Sequence, residues 1–137
     1  MNNKAKEFAR QKHKGQKDDS GLDYFTSHVE QVVSVLRCVT EDERIISAGY
    51  LHDTLEDTDT TIEELLREFG EYVTTLVVEM THEGDKKTGY YFPNLKSREG
   101  ILIKFADRLS NLSRMETWTP ERRAHYLKRS KFWKSEI

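Results

Sequence analysis

Tyr50-Leu51-His52-Asp53-Thr54-Leu55-Glu56-Asp57-Thr58 sets a histidine beside an aspartate and follows them with a glutamate and a second aspartate. Immediately before it, Ile45, Ile46, Ala48 and Leu51 are spaced as the apolar stripe of a helix. If that helix continues through the motif, His52 and Glu56 lie one turn apart on one face, and Asp53 and Asp57 do the same on the next. Four ionisable groups then crowd the end of an otherwise apolar helix. Burying them unpaired is costly, and a divalent cation is the usual remedy. These nine residues alone leave a second reading open, in which acidic residues simply decorate a helix end.

The chain around this stretch has 137 residues, which predicts one domain spanning 1–137 with room for a real core. Charged residues make up 34%, yet the net charge is only −2, so neither a polybasic nucleic-acid surface nor an acidic tail is present. The one cysteine, Cys38, excludes a disulfide framework or a CxxC zinc site within the chain and reads as a small core residue. The polar start Met1-Asn2-Asn3-Lys4 has no signal-peptide core, and no apolar run is long enough to cross a membrane. A soluble, cytoplasmic protein is the expectation.

Helical periodicity recurs along the whole chain, with two prolines and seven glycines, which predicts an all-α fold. A first helix is expected over about 3–14, with Ala5, Phe8, Ala9 and His13 facing inward. The polar stretch Gly15-Gln16-Lys17-Asp18-Asp19-Ser20-Gly21 has turn chemistry, as a plain loop or the lip of a site. A second helix over about 25–39 carries Val29, Val32, Val33 and Leu36 as its stripe, with His28 one position before it. Thr40 with Glu43 fits a capping box ahead of the central helix, and Thr61 with Glu64 fits another. The helix from about 62 to 69 stops at Gly70, and the next, about 71–81, offers Tyr72, Val73, Leu76, Val77 and Met80 to the core.

Residues 82–94 read as an irregular segment, either a lid or partner contact or a loop anchored by Tyr90, Tyr91 and Phe92. In the helix over about 96–116, Ile101, Leu102, Phe105, Leu109 and Leu112 form the apolar stripe, while Lys104, Asp107, Arg108 and Asn111 gather on another face. Ile103 and Ala106 on a third side point to burial on most sides, which favours a site over a solvated face. Thr119-Pro120 marks a last helix, about 120–135, docking through Tyr126, Leu127, Phe132 and Trp133.

His28, His52-Asp53 and Asp107 thus come from three helices. Two imidazoles and two carboxylates suit a first-row divalent ion with positions left for water and a substrate oxygen, and the lack of thiolates argues against a structural zinc site. Glu56 and Asp57 are placed to orient that water or shuttle a proton, which is a hydrolase layout for a phosphate ester.

These residues resemble the H…HD…D signature of the HD phosphohydrolase superfamily. Phe8-Ala9, His13, Gly15-Gln16, Ser20-Gly21, Tyr24 and His28 are similar to the opening of the hydrolase domain of RelA/SpoT alarmone enzymes. His52-Asp53-Thr54-Leu55-Glu56-Asp57-Thr58 is similar to the HDxxEDT motif of that family, and Ile103-Lys104-Phe105-Ala106-Asp107-Arg108-Leu109-Ser110-Asn111 continues the likeness. The resemblance implies an HD helical fold of the stand-alone small alarmone hydrolase type. It also implies Mn²⁺ dependence and removal of the 3′-pyrophosphate from guanosine tetra- or pentaphosphate. It assigns His28, His52, Asp53 and Asp107 as metal ligands and Glu56 and Asp57 as the catalytic pair. Asn111, Lys17 and Lys104 become substrate contacts.

The chain departs from the family at one place. The alarmone hydrolases carry an Arg-Lys type pair after Gly-Gln, and here Asp18 and Asp19 stand at those positions. Carboxylates cannot stack as a guanidinium does, and they repel polyphosphate. A second reading, an HD hydrolase acting on another nucleotide or phosphorylated small molecule, therefore stays open. So does a third, a binding module that keeps the pocket as a sensor.

Overall fold

The computed structural model describes residues 2–18, 20–85, 90–93, 95–112 and 120–121, with the backbone alone for 82–85 and 90–93. The body is helical, as the periodicity predicts. Its elements are α1 (Asn2–Lys12), a π turn (Phe25–Val29), α2 (Glu30–Arg37), α3 (Glu43–Leu51), α4 (Thr54–Asp57), α5 (Ile62–Met80) and α6 (Arg98–Leu112). Beside the helices lies a ribbon of β1 (His82–Asp85) and β2 (Tyr90–Pro93), antiparallel from His82↔Pro93 to Asp85↔Tyr90. It occupies the segment expected to be irregular. The aromatic, β-favouring run Tyr90-Tyr91-Phe92 supplies one strand, and a glycine-bearing charged stretch separates it from the other. Beyond residues 120–121, which are helical, the expected last helix over about 120–135 lies outside the described residues, as does Asp19.

α3 is the central rod. Seven consecutive residues, Ile45 to Leu51, are buried, and α1, α2, α5 and α6 all pack on it. A helix buried on every side carries no polar face, which is why its sequence reads as nearly continuous apolar and small residues. Asp42, and not Thr40, caps it. The Asp42 carboxylate accepts from the Arg44 N–H at 2.9 Å, while the Thr40 hydroxyl accepts from the Asp42 N–H at 3.1 Å. The expected second cap forms, with the Thr61 hydroxyl accepting from the Glu64 N–H at 3.1 Å. Gly70, at φ 88°, breaks α5 into the two helices that its sequence predicts.

Three expectations of facing are overturned. Cys38 is exposed, because two residues past Leu36 the helix has turned well away from the Val32–Val33–Leu36 stripe. Tyr72 lies one position off the buried row Val73, Leu76, Val77, Met80 and stays partly outside, under the Arg44 guanidinium at 4.2 Å. In α6 the helix is rotated. Ile103 and Ala106 face the core together with Lys104, Asp107, Arg108 and Ser110, whereas Ile101, Phe105 and Leu109 are 40%, 38% and 52% exposed. Leu102 and Leu112 are half-buried.

The packing of α3 on α2 depends on Gly49. A Cβ there would stand 2.5 Å from Cδ1 of Leu36, a side chain with no exposed surface to swing into. Gly49→Ala should therefore destabilise the fold by about 1–3 kcal/mol, as overpacked cores do. Urea denaturation of the metal-free protein reads this out, and an unchanged midpoint would show that the helices can part at no cost.

Candidate metal centre

α3 does not continue through the motif. It ends at Leu51, and His52 and Asp53 form a turn before the one-turn helix α4. Asp53 sits at φ −101°, ψ −1°, the bridge region that many active-site residues adopt. The Thr54 hydroxyl donates to the Leu51 carbonyl at 2.7 Å, and the Thr58 hydroxyl to the Thr54 carbonyl at 2.6 Å. The Thr54 hydroxyl thereby caps the last carbonyl of α3, and the Thr54 carbonyl accepts from the Thr58 N–H as well, at 3.1 Å. The break sends His52 and Asp53 inward together, where a continuous helix would have spread them by about 100°.

His28 arrives on the π turn, whose wider ladder is shown by the Glu30 N–H bonding to the Phe25 carbonyl. Such turns concentrate at functional sites because the extra residue re-aims a side chain. Asp107 arrives from the inward face of α6.

One ligand atom each from His28, His52, Asp53 and Asp107 lies within 4.8 Å of the others. His28 Nε2 is 2.9 Å from Asp107 Oδ1 and 3.5 Å from Asp53 Oδ2. His52 Nε2 is 3.0 Å from Asp53 Oδ2 and 3.3 Å from Asp107 Oδ1. The two Nε2 atoms are 3.2 Å apart.

The outer hydrogen bonds decide what those nitrogens carry. His52 Nδ1 faces the Gly49 carbonyl at 2.7 Å, so it must donate. The Ser110 hydroxyl donates a hydrogen bond to Gln31 Oε1 at 2.8 Å, so it accepts one from His28 Nδ1 at 3.0 Å. With both protons held on Nδ1, both neutral imidazoles present Nε2 lone pairs to one point that two carboxylate oxygens also face. Outer partners of this kind are how metal-ligating histidines are oriented. A divalent cation fits the donor set, and repulsion between two lone pairs at this distance needs one or a proton.

A protein-family model described as the HD domain matches residues 5–88. The chain belongs to the HD-domain family. Guanosine-3′,5′-bis(diphosphate) 3′-pyrophosphohydrolase MESH1 of Danio rerio is 38% identical over 125 residues, covering 83% of this chain and 68% of that protein. Guanosine-3′,5′-bis(diphosphate) 3′-pyrophosphohydrolase of Aquifex aeolicus (strain VF5) is 37% identical over 129 residues and covers 88% of this chain. The chain spans only 18% of that longer relative. A solved structure described as a metazoan ortholog of SpoT that hydrolyses ppGpp superposes with a TM-score of 0.76 at 31% identity, covering 95% of this chain and 81% of the other. The HD-domain family and the two-histidine, two-aspartate set both fit a divalent cation.

The other expected residues of this HD domain lie as follows. Glu56 is half-buried and Asp57 exposed, both on α4 directly after Asp53. Gln16 ties them to the first loop: its amide donates to the Asp57 carbonyl at 2.9 Å, and its oxygen meets His13 Nδ1 at 2.9 Å. Asn111 is half-buried on the last turn of α6. Lys17 is exposed and bridges Asp23 through the backbone. Lys104 is 1% exposed, with its Nζ 3.3 Å from Asp107 Oδ2, so its charge is directed at a ligand. Asp18 Oδ1 accepts from the Ser20 and Leu22 N–H groups at 2.8 and 2.9 Å, which makes it the hub of its own loop.

Ser110, Gln31 and the Gly49 carbonyl were not anticipated as site groups from the residue pattern. Ser110 does carry a signal, since it stands three residues after Asp107 on the same helix face.

Burial works against charge on His28, but Asp107 and Asp53 outweigh it and raise its pKa, and His52 is raised well above the ordinary value for the same reasons. Burial would raise Asp53 and Asp107. The imidazoles outweigh it for Asp53, and Lys104 with the imidazoles outweighs it for Asp107, so both are held well below the carboxylate range. In the metal-free protein the raised imidazoles stabilise the fold below about pH 6.5, and that contribution fades as pH rises through their folded values. The depressed carboxylates contribute above about pH 3.9 and lose that contribution only as pH falls through their folded values. Cation binding requires neutral Nε2 and so strengthens with pH. The rise in Tm on adding Mn²⁺ should therefore be larger at about pH 8 than at about pH 5.5. An increment independent of pH would exclude the imidazoles as ligands.

Proposed function

We propose that the chain is a Mn²⁺-dependent hydrolase that removes the 3′-pyrophosphate from guanosine tetra- or pentaphosphate in the cytoplasm, as one HD domain over residues 1–137. The observation that carries this is the convergence of two Nε2 atoms and two carboxylate oxygens beside the Glu56–Asp57 pair. The names of the relatives point to the same substrate. Among the described residues no helix is long and apolar enough to cross a membrane, and no stable nucleic-acid binding is expected at a net charge of −2.

His28, His52, Asp53 and Asp107 would hold the cation. When bound, it neutralises charge on a phosphoryl oxygen and lowers the pKa of water. Ser110 and the Gly49 carbonyl keep both imidazoles in the donor tautomer. Glu56 and Asp57 orient the attacking water and take its proton. The water oxygen bonds to the phosphorus nearest the ribose, the bond from that phosphorus to the 3′-oxygen breaks, and a proton passes to the 3′-oxygen. Asn111 and Lys17 would meet ribose or phosphate, and Lys104 would act on substrate through the charge of Asp107.

A second reading, an HD hydrolase acting on another nucleotide or phosphorylated small molecule, is favoured by Asp18. It brings acceptor oxygens where the family carries a base-stacking cation, although its carboxylate is engaged by the backbone of its own loop.

Pyrophosphate and phosphate release with Mn²⁺, measured across guanosine tetraphosphate, simple nucleotides and a phosphorylated dinucleotide, separates the readings. Pyrophosphate from the tetraphosphate alone supports the first. Phosphate from another member of the panel moves the function to the second, and silence with metal bound points to a sensor. Glu56→Ala should lower turnover by about 100- to 10,000-fold, the usual worth of a positioned base, while Mn²⁺ still binds. Near-normal turnover would remove Glu56 from the mechanism.

A further inference from the structure

We propose that Tyr24 is a positioning residue for Asp53, its hydroxyl holding the carboxylate oxygen that faces the two imidazoles. This rests on the reading of the four-residue cluster as a cation site. Each of the other three ligands has an identified outer partner: Ser110 for His28, the Gly49 carbonyl for His52 and Lys104 for Asp107. Asp53 has no such support from its own neighbourhood. Although it stands at the N-cap of α4, its side chain makes no capping hydrogen bond. Outside the ligand set, and among the described residues, the group that bonds its carboxylate is the Tyr24 hydroxyl, which donates to Oδ2. That same oxygen lies 3.0 Å from His52 Nε2 and 3.5 Å from His28 Nε2, so it is the oxygen turned toward the common point.

The ring is held to this task from three sides. The Tyr24 N–H donates to the Gln16 carbonyl at 2.9 Å, tying its backbone to the loop that also reaches Asp57. Its ring lies 5.2 Å from the His13 ring and 5.2 Å from the His28 ring, tilted against both. It also immediately precedes the π turn, so one distorted segment delivers both the ligand His28 and the group that orients the ligand Asp53. A carboxylate in a turn, with free rotation about its side-chain bonds, would lose conformational freedom on binding a cation. Held in advance by a phenol, it has less to lose.

The test is Tyr24→Phe in the full chain, which keeps the ring and its packing and removes the hydroxyl. Mn²⁺ affinity is measured without substrate, by the electron paramagnetic resonance signal of the free ion, and kcat and KM are measured at saturating Mn²⁺. Metal-free Tm is followed alongside, and is expected to stay close to that of the parent. The dissociation constant for Mn²⁺ should rise by about 10- to 100-fold, the usual effect of losing an outer partner, with a fall in kcat and little change in KM. An unchanged Mn²⁺ affinity overturns the proposal, whether activity survives or KM rises; the latter would make Tyr24 a substrate contact. Failure of the parent to bind Mn²⁺ would overturn the cation reading itself. Failure of the parent to cleave guanosine tetraphosphate would leave the affinity comparison intact and overturn only the substrate.

Discussion

Two imidazole nitrogens 3.2 Å apart, each with its proton held on the far side of the ring, face two carboxylates in a buried pocket. Without a cation or a proton between them the arrangement is repulsive, and much of the fold is the apparatus that imposes it. α3 is buried on every side so that its C-terminal end can carry His52 into the interior. Gly49 serves this twice: its missing side chain lets α3 lie against Leu36, and its carbonyl accepts the hydrogen bond from His52 Nδ1. The close contact between helices and the chemical state of the ligand therefore depend on one residue.

The orientation of α6 follows from the same constraint. A helix with Ile101, Phe105 and Leu109 on one side would ordinarily turn that side to the core. Here the side bearing Lys104, Asp107 and Ser110 is inward. Buried charges are tolerated when each has a partner, and this face supplies them internally: Lys104 balances Asp107, Asp107 meets both imidazoles, and Ser110 joins His28 to Gln31. Ile103 and Ala106 on the same face provide the apolar contact. The polar network is thus a continuous part of the packing, with no boundary between core and site.

The first loop plays the corresponding role at the pocket's other wall. Gln16 reaches the Asp57 carbonyl, and Tyr24 reaches Asp53, so residues on both sides of Asp18 are attached to the acidic turn. Asp18 closes the loop between them by accepting from Ser20 and Leu22. A residue that looked from its charge like a hindrance to polyphosphate is thereby also the residue that shapes the loop.

Much was legible in the residues alone. Apolar spacing located the helices, Thr61 and Gly70 located their ends, and the order of His28, His52-Asp53 and Asp107 picked out the four side chains whose ligand atoms converge. These features are local, or depend on residue chemistry that few positions share. What required the tertiary structure was direction. The break after Leu51, the π turn under His28 and the rotation of α6 each change where a side chain points without changing what it is. Periodicity reports that a helix has faces, but α6 has two plausible inner faces. The choice between them is made by partners up to 82 residues away, such as Ser110 for His28. Proton placement on the imidazoles is likewise a property of acceptors contributed by other segments, and so belongs to the folded chain.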